Sequence, residues 1–330
     1  MNAPTAPAPF GLTHQLPMTF GQILDRVYRL MRSQLKLFTG IASIMAAAYF
    51  LIIVLAGAIA SVTILAQQQP NPDPATIFRI VIPVILITLP LVLAIFAFYL
   101  AASIYAALQA NVGVKVTFRE AYGVAWKRIG RYMWLLFLAY VIAVLPMLVI
   151  ELVIFAQTGL LTMNKPAPTP AFFILLPLEV LLLFAAMVYG VIIAMRLSLA
   201  FPASLTEDLT ARAALRRSGQ LTKGAKGRIF LVLLVIYALG YAAEMAGILI
   251  LAPIIGVGAV VMASLHVHLV SVAGIAGAAL AALCFFAFIF LWMALLYAAF
   301  TTALAVLYHD QRLRKEGLAP MPAQGGEGPA

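Results

Sequence analysis

The chain has 330 residues, of which 65% are hydrophobic and only 10% charged, with a mean hydropathy of +1.07. A soluble domain is nearer half apolar and a quarter charged, so a core of this size cannot hide the excess, and the bilayer is the expected solvent. The formal net charge of +10 lies beside the apolar runs rather than in a soluble patch, which points to membrane orientation and argues against nucleic acid as a partner.

Residues 1–18, MNAPTAPAPFGLTHQLPM, are rich in Pro and Ala and read as a disordered tail. They lack a charged n-region followed by a short apolar stretch, so no cleaved signal peptide is expected. Thr19-Phe-Gly-Gln22 fits a capping box, with Thr19 as N-cap and Gln22 reaching back. Phe20, Ile23, Leu24, Val27 and Leu30 then recur at helical spacing, and Asp25, Arg26, Arg29 and Arg32 take the other face. Such an amphipathic helix suits the headgroup region. Residues 37–66 form an uncharged first span, and QQQPNPDP (67–74) is a loop. The second span, 76–110, carries Pro83, Pro90 and, near its start, Arg79. Membrane helices tolerate such prolines when neighbours satisfy the freed carbonyls.

Thr117-Phe-Arg-Glu120 is a second capping signal. Phe118, Ala121, Tyr122, Ala125 and Ile129 give its apolar face, and Arg119, Lys127, Arg128 and Arg131 its polar one. The third span is 133–157, with Pro146 inside. A Pro-rich loop at 163–170 leads to the fourth span, 171–199. Residues 196–228 are the richest basic segment. Ala211, Ala214, Leu215 and Ser218 form a weak apolar face opposed by Arg212, Arg216 and Arg217, without a capping box. The fifth span is 229–251, and Pro253, Gly256 and Gly258 are expected to break or end its helix. HVHLVS (266–271) reads as a turn. The sixth span, 272–308, exceeds a hydrocarbon core of about 30 Å at 1.5 Å per residue, so it must tilt, break or protrude. Residues 318–330 read as a second disordered tail.

The expected fold is all-α: one integral membrane domain, 19–317, with six transmembrane helices in three repeated hairpin units. A basic amphipathic interfacial helix precedes each unit. Six spans put both termini on one side. The four basic segments there hold four, five, six and three cations, which is 18 of the 21 Lys and Arg residues. By the positive-inside rule both termini are cytoplasmic.

Arg196-Leu-Ser-Leu-Ala-Phe-Pro202, Glu207, Ala214-Leu-Arg-Arg-Ser218 and Leu221-Thr-Lys-Gly224 form a moderately specific signature. The run Leu307-Tyr-His-Asp310-Gln-Arg-Leu-Arg-Lys-Glu-Gly317 and the opening Gly21-Gln-Ile-Leu-Asp25-Arg-Val-Tyr28 accompany it. Together they resemble bacterial six-span proteins identified as the membrane domain of glycerophosphoryl diester phosphodiesterase, and related uncharacterised families. The resemblance covers roughly 19–317 and implies this fold and a bacterial inner-membrane location. That family is named for fusions to a soluble catalytic barrel, for which this chain has no room, so the activity is not carried over.

Ionisable residues inside spans are costly and invite a functional reading. Glu244 lies about 24 Å of helix beyond Arg228, past the midplane. With Glu151, Glu179 and Arg79 it could line a polar cavity for a cation, a proton or a lipid headgroup. The alternative is that Glu151 and Glu179 sit at the interface while Glu244 pairs locally. Arg196, at the cytoplasmic end of span four, could bind a lipid phosphate, or it could snorkel or cap a helix end. Arg26, Arg29, Arg32, Lys127, Arg128, Arg131, Arg212, Arg216 and Arg217 are candidates for contact with anionic lipid, at about 1 kcal/mol per basic residue. His266 and His268 are too few to make a metal site. Gly274, Ala278 and Ala281 have small-residue packing spacing, within the bundle or towards a protein partner or second copy. No P-loop, nucleophile elbow or metal-protease motif is present, so neither catalysis nor a cofactor or metal is expected. Two readings remain: a non-enzymatic accessory, scaffold or regulatory protein associated with lipids, and a small transporter or lipid-moving protein using the intramembrane glutamates.

Overall fold

A computed structural model of the chain describes residues 17–66, 74–163, 170–264 and 272–317. Among them there are ten helices and no strand: α1 (Phe20–Ser33), α2 (Leu35–Ala66), α3 (Pro74–Asn111), α4 (Phe118–Lys127), α5 (Ile129–Met163), α6 (Pro170–Leu197), α7 (Ala200–Thr206), α8 (Ala211–Thr222), α9 (Lys226–Ser264) and α10 (Val272–Glu316). Six are long and apolar enough to cross a membrane: α2, α3, α5, α6, α9 and α10.

The short helices follow from capping and periodicity. At the start of α1 the Thr19 N–H donates to Gln22 Oε1 at 2.7 Å, and the Gln22 N–H returns to Thr19 Oγ1, so the full capping box forms. Ile23, Val27 and Leu30 bury one stripe at i, i+4 and i+7. In α4 only half of the second box forms. Thr117 Oγ1 accepts from the Glu120 N–H, but the Glu120 carboxylate takes the Tyr105 hydroxyl instead of reaching back. Ala121 and Ala125 are the buried face of α4, and Tyr122 donates to the Ile41 carbonyl at 2.9 Å. Helix α8 buries Ala211, Ala214, Ser218 and Leu221.

The long helices meet at the basic end. Arg26 reaches Asn111 at the end of α3, Arg131 at the start of α5 reaches Asp208, and Arg228 at the start of α9 reaches Asp310 near the end of α10. The core lies there, in residues such as Phe38, Ile41, Ile104, Tyr132, Leu199, Ile229 and Leu307. Ser103 and Thr301 pair at 2.6 Å between α3 and α10. Away from this end, large apolar side chains face outward, including Leu86, Ile87, Leu152 and Leu249. In a bilayer these are the lipid-facing surface, and each helix satisfies its own backbone.

Four sequence expectations change. Helix α9 runs unbroken to Ser264 through Pro253, because proline frees only the Leu249 carbonyl while the rest of the helical ladder persists. Helix α10 does not stop at 308. It continues to Glu316, with Ala303–Tyr308, Asp310 and Gln311 buried and the final turn half-buried to exposed. The fourth span ends at Leu197, and α7 follows as a separate buried helix, since Pro202 has no N–H to give the Ser198 carbonyl. Met18, placed by sequence in the N-terminal tail, is buried and held by Asp310, Arg228 and Arg314. Residues 1–16 and 318–330, and His266 and His268, lie outside the described residues.

Candidate functional site

The basic end is tied by two knots of charge. In the first, Arg217 on α8 bridges Glu207, at 2.8 Å, and Glu316 of α10. Arg312 also binds Glu316 at 3.1 Å, and the Tyr308 hydroxyl donates to Glu207 at 2.7 Å. Burial alone would lower the Arg217 pKa, but hydrogen bonds and charge from Glu207 and Glu316 outweigh it and hold the guanidinium charged. In the second knot, the fully buried Asp310 accepts the Met18 N–H at 2.8 Å and binds Arg314 at 2.9 Å and Arg228 at 3.3 Å. Both arginines also donate to the Met18 carbonyl. The first and last described segments are thereby locked together.

Beside the first knot is a cavity of about 500 Å³ lined by Arg196, Lys223 and Lys226 with Gly219, Gly224 and Gly227. No carboxylate lines it. The Arg196 carbonyl accepts from Ser218 at 2.7 Å and from Thr222, which fixes its backbone to α8. Its guanidinium is exposed and has no ion pair among the described residues. Gly219 makes room for it, since a Cβ there would lie 3.2 Å from Arg196 Nε. Gly224, at φ +80°, makes the turn between α8 and α9.

A second cleft, also about 500 Å³, opens between α3, α4, α5, α7 and α10. Its charged lining is Lys127, Arg128, Arg131 and Asp208, with His309 beside them. Asp208 sits in the left-handed region at φ +53°, which is uncommon outside glycine, and it pairs with both Arg128 and Arg131.

The candidates for lipid contact divide. Arg32, Lys127, Arg212 and Arg216 are exposed and unpaired among the described residues, and Arg29 is exposed but paired with Asp25. Arg26 is half-buried on Asn111, while Arg131 and Arg217 are drawn into ion pairs. Arg128 is half-exposed on Asp208. The intramembrane acids do not gather. Glu151 is exposed on α5, Glu179 is half-buried on α6, and Arg79 is exposed about 48 Å along α3 from Asn111. Glu244 is only 6% exposed and makes no hydrogen bond or ion pair among the described residues. It shares a helix face with Gly240 and Gly247, which lie against Leu296 and Phe288 of α10, and Trp292 donates to the Gly240 carbonyl at 3.2 Å. The acid is therefore shut into the α9–α10 seam.

Comparison with family models, curated proteins and solved structures finds no match. The sequence reading missed Asp208, Asp310, Glu316, Tyr308 and His309 as members of these clusters. Four of them lie in the run Leu307–Gly317 and Asp208 follows Glu207, but acids among many arginines do not say which pair will meet.

Proposed function

We propose that the chain is a non-enzymatic, multi-pass protein of the bacterial inner membrane that gathers anionic phospholipid at its cytoplasmic end and acts there as an accessory, scaffold or regulatory protein. The observation that carries this reading is the Arg196–Lys223–Lys226 cleft: three cations, no carboxylate, and glycines that leave room for a phosphate. Lysine and arginine supply the charge-assisted donors such a group needs. The cytoplasmic assignment of this end follows from the positive-inside bias, since apart from Arg79 the described cations lie at it. Helices α1, α4 and α8 each lead into a long apolar helix, in keeping with three repeated units. The resemblance to the phosphodiesterase membrane domain fits too, because Arg196, Glu207, Arg217 and Ser218 of its signature are the residues that interlock.

The test is native mass spectrometry of the protein released from nanodiscs containing phosphatidylglycerol. Retained anionic lipid is expected for the natural sequence and should fall about tenfold in Arg196→Gln/Lys223→Gln, on the scale of one or two charge-assisted hydrogen bonds. Gly219→Val leaves every charge in place but pushes on Arg196, and it should also weaken retention. Equal lipid retention by all three proteins would remove the cleft from the account. A single observation favours transport as a second reading, the buried and unpaired Glu244. It shares no described contact with Glu151, Glu179 or Arg79, so the scaffold reading is preferred.

A further inference from the structure

We propose that the cleft at Asp208 is a second anion site, separate from the Arg196 cleft, and that it takes a phosphate group. Three cations, Lys127, Arg128 and Arg131, meet there with one carboxylate. Asp208 is already shared between Arg128 and Arg131, so it cannot neutralise the set. Arg131 is held in place before any ligand arrives. Its terminal nitrogens bond Asp208 at 2.7 Å, the Tyr132 hydroxyl at 3.4 Å and the Ser204 carbonyl at 3.5 Å, and its side chain is 19% exposed. Arg131 Nε, however, is buried without a partner, and so is His309 Nε2. An unpartnered buried donor is rare in proteins, and Arg131 Nε, on a residue lining this basic cleft, marks where an acceptor belongs.

The chemistry selects phosphate. The donors come from Lys127 at the end of α4, Arg128 just after it and Arg131 in the first turn of α5, and so approach from several directions. A tetrahedral group with three or four acceptor oxygens meets such a set, whereas a planar carboxylate answers one guanidinium face. The left-handed Asp208 is a local strain of the kind that binding sites hold. The backbone beside it is fixed from outside the cleft, since the Ser204 hydroxyl donates to the Leu209 carbonyl at 3.1 Å. Because the cleft lies at the basic end, the phosphate can come from a soluble phosphate compound or from a lipid headgroup.

The two sources are separated by two measurements on the full chain in nanodiscs. Isothermal titration with inorganic phosphate in purely phosphatidylcholine nanodiscs reads the soluble source. Native mass spectrometry in discs containing phosphatidylglycerol reads the headgroup source. Lys127→Gln/Arg128→Gln alters two exposed side chains and should leave the melting temperature close to that of the natural sequence. It is expected to weaken whichever binding is seen by about tenfold or more. Lys36→Gln/Arg119→Gln, with the same loss of charge outside the lining of the cleft, should leave that binding unchanged. The proposal is overturned if neither source binds saturably, if the Lys127/Arg128 variant binds as well as the natural sequence, or if the charge-matched control loses as much. Failure of the Arg196 variant to shed lipid would count against the first cleft and leave this one standing.

Discussion

Replacing Asp310 with alanine is expected to be the most damaging single change at the basic end, costing about 3–5 kcal/mol of stability. Asp310 is fully buried and holds four partners: the Met18 N–H, Arg314, Arg228 and, at 3.4 Å, the Gln311 side-chain amide. Alanine leaves two guanidinium groups facing each other without their counter-charge and strands a backbone donor. Arg228 and Arg314 are 23% and 34% exposed, so water softens the loss for them, but the acid they share has no such access. Asp310→Asn keeps the size and an oxygen acceptor for Met18 while losing the charge, so it should fall between alanine and the natural residue. Thermal unfolding in detergent, followed by tryptophan fluorescence, reads both. A melting temperature for Asp310→Ala within a degree or two of the natural protein would show that the knot does not hold the ends of the chain together.

Changes at Glu244 should diverge with the charge they carry. Glu244 is buried in an apolar helix seam with no partner among the described residues, and added charge at such a place is costly. Glu244→Gln should be nearly neutral, within about 1 kcal/mol, because it keeps the size and polarity of the side chain and breaks no hydrogen bond or ion pair among the described residues. Glu244→Leu should match or exceed the natural stability, since it removes a polar group from beside Phe288 and Leu296. Glu244→Lys should cost about 3 kcal/mol or more, because it puts a longer cation into an apolar seam that offers it no described partner, and folded protein should largely be lost. The yield of monodisperse protein and its unfolding in a sodium dodecyl sulfate titration measure the series. Severe destabilisation by glutamine would mean that the carboxylate holds a partner in the folded protein, against the expectation. A transport activity that disappears in Glu244→Gln while the fold survives would move the account to the transporter reading.

Much of this architecture was legible in the chain. Long apolar runs with few charges marked the six long helices, because a helix facing lipid needs no polar face and shows no alternation to be misread. Thr19 with Gln22 marked the start of α1, since an N-cap and its return partner lie three residues apart and need nothing beyond local geometry. Where a residue's partner is distant, the local signal failed. Glu120 looked like the return half of a capping box and instead took the Tyr105 hydroxyl. Pro253 looked like a stop and was absorbed, because the membrane-length helix around it has more to lose by ending than by giving up one hydrogen bond.

The same contrast holds for the candidate site. The sequence by itself pointed to a bilayer, with its cations clustered beside the apolar runs, because hydropathy and charge are read along a chain without reference to fold. It could name Arg196 and Arg217 as basic residues of one segment, but not their different fates. Only the tertiary structure put Arg217 between Glu207 and Glu316, residues 10 and 99 positions away, and left Arg196 open beside Lys223 and Lys226. An ion pair depends on the angle at which two helices cross and on which side chain reaches first. Those quantities are set by packing across the whole bundle, so whether a given arginine is a tie or a free binding group is decided in space.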